Sequence, residues 1–484
     1  MLYQVDRTPA KRNRPPHDRG GAPSCARWWR GMAMAALALG LGHTRPLAAQ
    51  HFPDEAGLLE LIRARVDSGR AVGIVVGVLE ADGTRRYAAY GDPGPDARPL
   101  SAESVFEIGS IAKAFTGILL AEMAARGEVR LDGRVADHVH DGVRVPSRGG
   151  REITLLDLAT HRSSLPRLPA NLNPEDPSNP YASYTVEDLH EFISQVELER
   201  DIGSEYEYSN LGMGFLGHVL ATVAGTDYET LVRERILEPL GMSMSGISLA
   251  PEMRARLVVG HDEAGAPVPN WDIPALAGAG ALRSSAEDML AFLEANVGEP
   301  ETGLERAMRT SHESRRPAGG ANSVGLGWHI LSVGEDRIVW HNGGTGGYRT
   351  WAGFDPDRDV AAVVLTNSTH GADDIGFHLV NEAVPLATAP AAAREEVEVA
   401  REVLGRYVGT YRLTEDFEIE VTLAGGRLYV QATGQQRFPV FAASETEFFL
   451  RAVEAGITFV VEDGRATAMT LHQGGVEQTA ERVP

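Results

Sequence analysis

The chain is nearly free of lysine and of cysteine. Of its 45 lysine and arginine residues only two, Lys11 and Lys113, are lysine. Every other basic position is an arginine, which stays protonated in proteins, whereas a buried lysine can lose its proton and act as a base or relay. A lone lysine therefore marks a place where arginine will not serve. The single cysteine, Cys25, lies ahead of an apolar run at residues 32–42. Beyond it there is no thiol, which excludes disulfides, thiolate metal sites and a cysteine nucleophile from the rest of the chain. No apolar run is long enough for a comfortable membrane span, so no integral membrane span is expected. No phosphate-binding glycine loop or dinucleotide fingerprint appears, so no cofactor is expected. The formal net charge of -22 argues against nucleic acid or an anionic membrane surface as partner.

What is present divides the 484 residues into four expected parts. Residues 1–50 read as a basic leader and signal peptide: a basic, proline-bearing stretch, the apolar run, then Leu47-Ala48-Ala49, small residues of the kind a signal peptidase accepts. They hold eight basic and two acidic side chains, so their removal leaves the remainder more acidic. A periplasmic or secreted protein is expected. Residues 51–385 form the main domain, 386–400 an Ala-, Pro- and Glu-rich linker, and 401–484 a β-rich accessory domain built of short strands at 407–411, 417–423, 427–432, 447–450, 457–461 and 466–472.

In the main domain the spacing predicts a helix over 52–69, strands at 71–79 and 87–90, and an amphipathic helix after Ser110 through Ile111, Phe115, Ile118, Leu119 and Met123. Thr154 and Asp157 suit a capping box. Residues 163–184 carry Pro166, Pro169, Pro174, Pro177 and Pro180 and read as a long loop. Helices follow at 186–197 and 211–224, and strands at 337–341, 350–354 and 360–365. The sheet is thus split in sequence, with helices inserted between its parts, an α/β (α+β) arrangement.

Residues 106–113, Phe-Glu-Ile-Gly-Ser-Ile-Ala-Lys, set a hydroxyl and an amine one helical turn apart, so that Ser110 and Lys113 share a face near a helix start, where unpaired N–H groups favour negative charge. Tyr208-Ser209-Asn210 stands at the entrance of another helix. His341-Asn342-Gly343-Gly344 closes a strand, with glycines that allow a close approach of a substrate backbone.

These three motifs, in this order, resemble the class C β-lactamases and the wider group of penicillin-recognising serine hydrolases, which includes DD-peptidases, D-aminopeptidases and esterases. The resemblance covers about residues 55–385, with His341 where lysine is usual and Asn342 where threonine is usual. Residues beyond 400 are similar to the lipocalin-like domain appended to some members. The resemblance implies an antiparallel sheet flanked by helices and a Ser110 acyl-enzyme, with Lys113 and Tyr208 sharing the proton traffic and the choice of base open. It implies that Asn210 holds the substrate amide and that the N–H groups of Ser110 and Gly344 form an oxyanion hole. His341 would orient a substrate carboxylate or the Tyr208 hydroxyl, in a pH-dependent way. The expected substrate is a small molecule or peptide: hydrolysis of a β-lactam or related amide is the first expectation, with a D-amino-acid peptidase (DD-carboxypeptidase or D-aminopeptidase) or a carboxylesterase as the alternative. A reading of another class is a non-hydrolytic sensor of penicillin or peptidoglycan fragments. His138, His140 and Asp141 read as a solvated surface cluster, and no metal is expected.

Overall fold

The computed structural model describes residues 50–387 and 396–483, apart from short stretches at 415–416, 434–436, 451–454, 463 and 474–475. The expected leader, save its last residue, and the middle of the expected linker lie outside the described residues.

Helix α1 (Glu55–Asp67) opens behind Asp54, whose side chain accepts the Gly57 N–H. It leads into strand β1 (Gly73–Leu79), buried at all seven positions, and β2 (Arg85–Gly91) returns beside it. Together with six strands from the far end of the domain these form one eight-stranded sheet. Its order runs β2, β1, Val360–Thr366, Arg349–Asp355, Asp336–Gly344, His329–Val333, Asn322–Val324 and Arg316–Gly319, and every neighbouring pair is antiparallel. The split sheet expected from the sequence is therefore present.

Strand periodicity sorts the side chains onto two cores. Ile74, Val76 and Val78 pack with Leu58 and Ile62 of α1 on one face, while Val75 and Leu79 face the larger helical core on the other. Burial on both faces explains why β1 reads as a continuous apolar run and not as an alternating one.

The centre of the larger core is α2 (Ala112–Ala125). Here the structure corrects the expectation of an amphipathic helix, since every residue from Ala112 to Met123 is buried. The apolar stripe was visible, but the other faces of α2 carry small residues that let neighbouring backbone come close. A Cβ on Gly117 would lie 1.9 Å from the Leu326 carbonyl oxygen, and one on Gly327, at φ +71°, would lie 2.1 Å from that of Lys113. The segment 326–327 thus clamps the turn of α2 that carries the lysine.

Thr154 and Asp157 do form the capping box, on the helix Leu155–Ala159. Between that helix and Val186–Gln195, residues 163–184 contain no helix or strand. The loop is tied down all the same. Tyr184 donates to Asn171 (3.0 Å), Trp271 Nε1 to the Ser178 carbonyl (3.0 Å) and Ser209 Oγ to the Pro166 carbonyl (2.7 Å).

The final part closes as an eight-stranded antiparallel barrel among the described residues, filled by Tyr407, Tyr411, Phe448, Phe459 and Met469. Two of its strands were not read from sequence. Phe438–Ala442 contains Pro439, which speaks against a strand, and Val476–Arg482 is too polar to show a buried face.

Replacing Gly117 by alanine pushes a methyl group into backbone that has nowhere to move. Gly117→Ala is expected to lower stability by roughly 1–3 kcal/mol, read from the urea midpoint. An unchanged midpoint would show that the crossing at 326–327 is looser than described.

Candidate active site

Ser110 sits in a single 3-10 turn, Gly109–Ile111, that runs directly into α2. Gly109 adopts φ +50°, and a Cβ there would come within 2.7 Å of the Gly344 nitrogen, so glycine is what allows the turn to abut the Asp336–Gly344 strand. Lys113, one turn on, is completely buried. Its Nζ lies 2.8 Å from Ser110 Oγ and donates to the Ala279 carbonyl at 2.7 Å. Burial, reinforced by the field of Arg167, holds the amine well below its usual value of 10.5, and among the described residues no carboxylate pairs with it. A neutral amine carries one lone pair, which suits it to accept the Ser110 proton.

Tyr208 precedes the helix Asn210–Ala224, capped by Ser209, whose Oγ accepts the Gly212 N–H at 2.8 Å. Burial pushes the phenol above its usual 10, although the nearby Ser110 hydroxyl and Arg167 pull the other way. It is therefore a neutral hydroxyl at physiological pH. Lys113 Nζ lies 4.9 Å from the centroid of its ring.

His341 shares with Val339 the face of its strand turned toward α2, while Asn342 turns to the other face and donates to Asp373 at 2.5 Å. Nδ1 of His341 lies 2.6 Å from the Asn342 carbonyl; a carbonyl only accepts, so Nδ1 bears the hydrogen and Nε2 is a bare acceptor, buried and without a partner. Burial, with the fields of His329 and Lys113, pushes the imidazole well below 6.5. This corrects the expected pH-dependent role, because burial favours the neutral ring well below the pH at which a free histidine would charge.

Two further histidines went unnoticed in the sequence. His161 accepts the Ser209 N–H on Nδ1 at 3.1 Å and lies against the Tyr208 ring, centroids 4.6 Å apart. His329 meets the Tyr206 hydroxyl at 2.9 Å and stacks on Tyr208. Burial lowers both, His329 to about 4. A phenol and three neutral imidazoles thus surround the amine. No spacing links these residues, since the sheet and the loop bring them together.

Above them opens a cavity lined by Ser110, Tyr181, Asn210, Trp271, Gly344 and Thr345 among others. The carboxamide oxygen of Asn210 is buried without a partner. Of the two glycines expected to face a substrate, Gly344 lines the cavity. Gly343 meets the protein itself, because a Cβ there would lie 1.9 Å from the Ile108 carbonyl. Away from this site His140 bonds to His190 (3.2 Å) and His190 to His218 (2.9 Å). Among the described residues no group of three or more acidic, histidine or cysteine side chains is arranged to hold a metal.

A family model described as Beta-lactamase matches residues 58–384, and one described as a domain of unknown function (DUF3471) matches 393–482. The chain is 32% identical over 316 residues to the D-alanyl-D-alanine-carboxypeptidase/endopeptidase AmpH of Escherichia coli strain K12, covering 62% of this chain and 80% of that protein. It is 25% identical over 418 residues to penicillin-binding protein 4* of Bacillus subtilis, covering 80% of this chain and 89% of that one. Among solved structures, a β-lactamase/D-alanine carboxypeptidase from Yersinia pestis complexed with citrate superposes with a TM-score of 0.57 at 25% identity, over 65% of this chain and 94% of the other.

The depressed Lys113 amine gives a signed prediction. Between its lowered value and 10.5 the unfolded chain binds a proton that the folded chain does not, so this group makes stability rise with pH across that window. Lys113→Met should remove that slope, so that the wild type gains on the variant as pH rises toward 10.5 in urea unfolding. Parallel curves for the two proteins would show that the amine is not desolvated.

Proposed function

The chain belongs to the β-lactamase family and is a serine hydrolase of that fold, and we propose that it cleaves the amide of a D-amino-acid peptide through an acyl-enzyme on Ser110. The observation that carries this reading is the fully buried Lys113 bonded to the Ser110 hydroxyl, in a setting where burial favours the neutral amine. The amine takes the proton as Ser110 Oγ attacks the carbonyl carbon, and the developing oxyanion is received by the N–H groups of Ser110 and Gly344. Tyr208, a neutral phenol beside both, passes a proton on to the departing amine. A water then attacks the acyl-enzyme, giving its proton back along the same route.

In this reading Lys113, not Tyr208, is the base, since at neutral pH the phenol has no proton vacancy while the amine has a free lone pair. Asn210 accepts the substrate amide N–H on its unpartnered oxygen. His341 offers a bare Nε2 and no charge, so it orients a hydroxyl and attracts no carboxylate. The relative with 32% identity is named for D-alanyl-D-alanine cleavage, which supports the peptide reading. A β-lactam, which presents a strained amide to the same groups, is the alternative substrate, and a short-chain ester a third. The signal-like stretch before Gln50 supports a place in the periplasm or outside the cell, and among the described residues no helix is long and apolar enough to cross a membrane.

Mass spectrometry of the purified protein mixed with a penicillin, together with turnover of a D-Ala-D-Ala peptide, a β-lactam and an ester, tests the proposal. A transient adduct with product marks a hydrolase, and a lasting adduct marks a sensor. Ser110→Ala is expected to lose every adduct. An adduct that persists in that variant would place the nucleophile elsewhere.

A further inference from the structure

A neutral His341 leaves open what reads charge on the substrate. The chain as a whole is strongly acidic and repels anions at long range, so an anionic substrate needs a local cation. Arg349, beside Gly344, is already engaged: its Nη1 donates to the carbonyls of Thr345 (2.8 Å) and Tyr348 (2.9 Å), and the fields of Asp373 and Glu263 act on it. His161, His329 and His341 are uncharged, and Lys113 is spent on Ser110.

Arg167 differs from all of these. It lies on the 163–184 loop, exposed, and its carbonyl is fixed by the N–H groups of Asn210 (3.0 Å) and Leu211 (3.2 Å). The guanidinium carbon stands 5.0 Å from the centroid of the Tyr208 ring. Among the described residues the guanidinium makes no ion pair and no hydrogen bond, although arginines elsewhere in the chain are repeatedly matched with carboxylates. Its backbone is bonded to Asn210, which lines the cavity, and its side chain stands over Tyr208, so it lies next to the Asn210 side of the cavity.

Resting on the Ser110 acyl-transfer reading, we propose that Arg167 binds a carboxylate carried by the acyl portion of the substrate, the portion whose amide Asn210 holds. The five N–H donors of a guanidinium fit a carboxylate in a two-bond fork, and the backbone bonds to Asn210 and Leu211 keep this fork in register with the amide site. Shape and the proton relay are handled by the strand and α2, and charge by the loop.

The test compares two p-nitrophenyl esters with the same leaving group, one of succinyl-D-alanine and one of its carboxamide twin, succinamoyl-D-alanine. Both are measured at low salt with the full chain and with Arg167→Gln, Arg167→Lys and Ser110→Ala. The wild type is expected to prefer the carboxylate in kcat/KM by about 10- to 100-fold, the scale of a hydrogen bond to a charged group. Arg167→Gln should bring the ratio close to one, and Arg167→Lys should restore part of it. Because the readout is a ratio within one preparation, partial loss of folded enzyme does not imitate the result. A ratio unchanged in Arg167→Gln, or a wild type without preference, overturns the role of Arg167 while leaving Ser110 chemistry intact. Turnover by Ser110→Ala, or none of either ester by the wild type, overturns the acyl-transfer reading instead.

Discussion

A primary amine held in a fully buried position with no carboxylate partner is the constraint around which the rest of this protein is arranged. Burying a charged ammonium there would be costly, so burial favours the neutral amine, the form a base requires. That outcome needs a helix enclosed on every side, and α2 meets the requirement: Ala112, Ala114 and Ala121 are buried and Gly117 lies against the Leu326 backbone. The Leu326 and Ala279 carbonyls approach it as packing and as a hydrogen-bond partner respectively. The same packing keeps water from the amine, which preserves its low proton affinity. Fold and reactivity are here two consequences of one burial.

The neighbourhood of that amine is polar without being charged. His161, His329, His341 and Tyr208 are all driven to their neutral forms by burial, and each imidazole is tied to the protein, or stacked within it, through a specific contact. Placing a lysine at position 341 would put a second amine beside Lys113 in the same buried setting, and its charge would have to be given up or find an anion. Histidine avoids that conflict. The proposed reader of substrate charge, Arg167, lies instead on the 163–184 loop and is exposed.

Much of the fold was legible because local rules and global packing agree. β1 was recognisable as a β-branched run, Thr154 and Asp157 as a capping box, and the three later strands by composition, and each lies where expected. The failures have physical causes as well. α2 was read as amphipathic because periodicity registers large apolar side chains and is blind to small residues that make room for a neighbouring backbone. Barrel strands 438–442 and 476–482 escaped because one holds a proline and the other is polar, and their strand character comes from pairing with neighbours.

Taken alone, the sequence determined one pairing: a hydroxyl, Ser110, and a lysine, Lys113, three residues apart, must share a helical face wherever that helix lies. It also determined that a tyrosine and an asparagine would meet at a helix entrance, and that a histidine would stand near the end of a strand. Only the tertiary structure decided their charges. The protonation of Lys113 and His341 depends on how completely each is removed from water, and burial depends on segments hundreds of residues away, such as 326–327 against α2. The company of His161 and His329, and the isolation of Arg167, were decided in the same way, by contacts between elements that no spacing along the chain encodes.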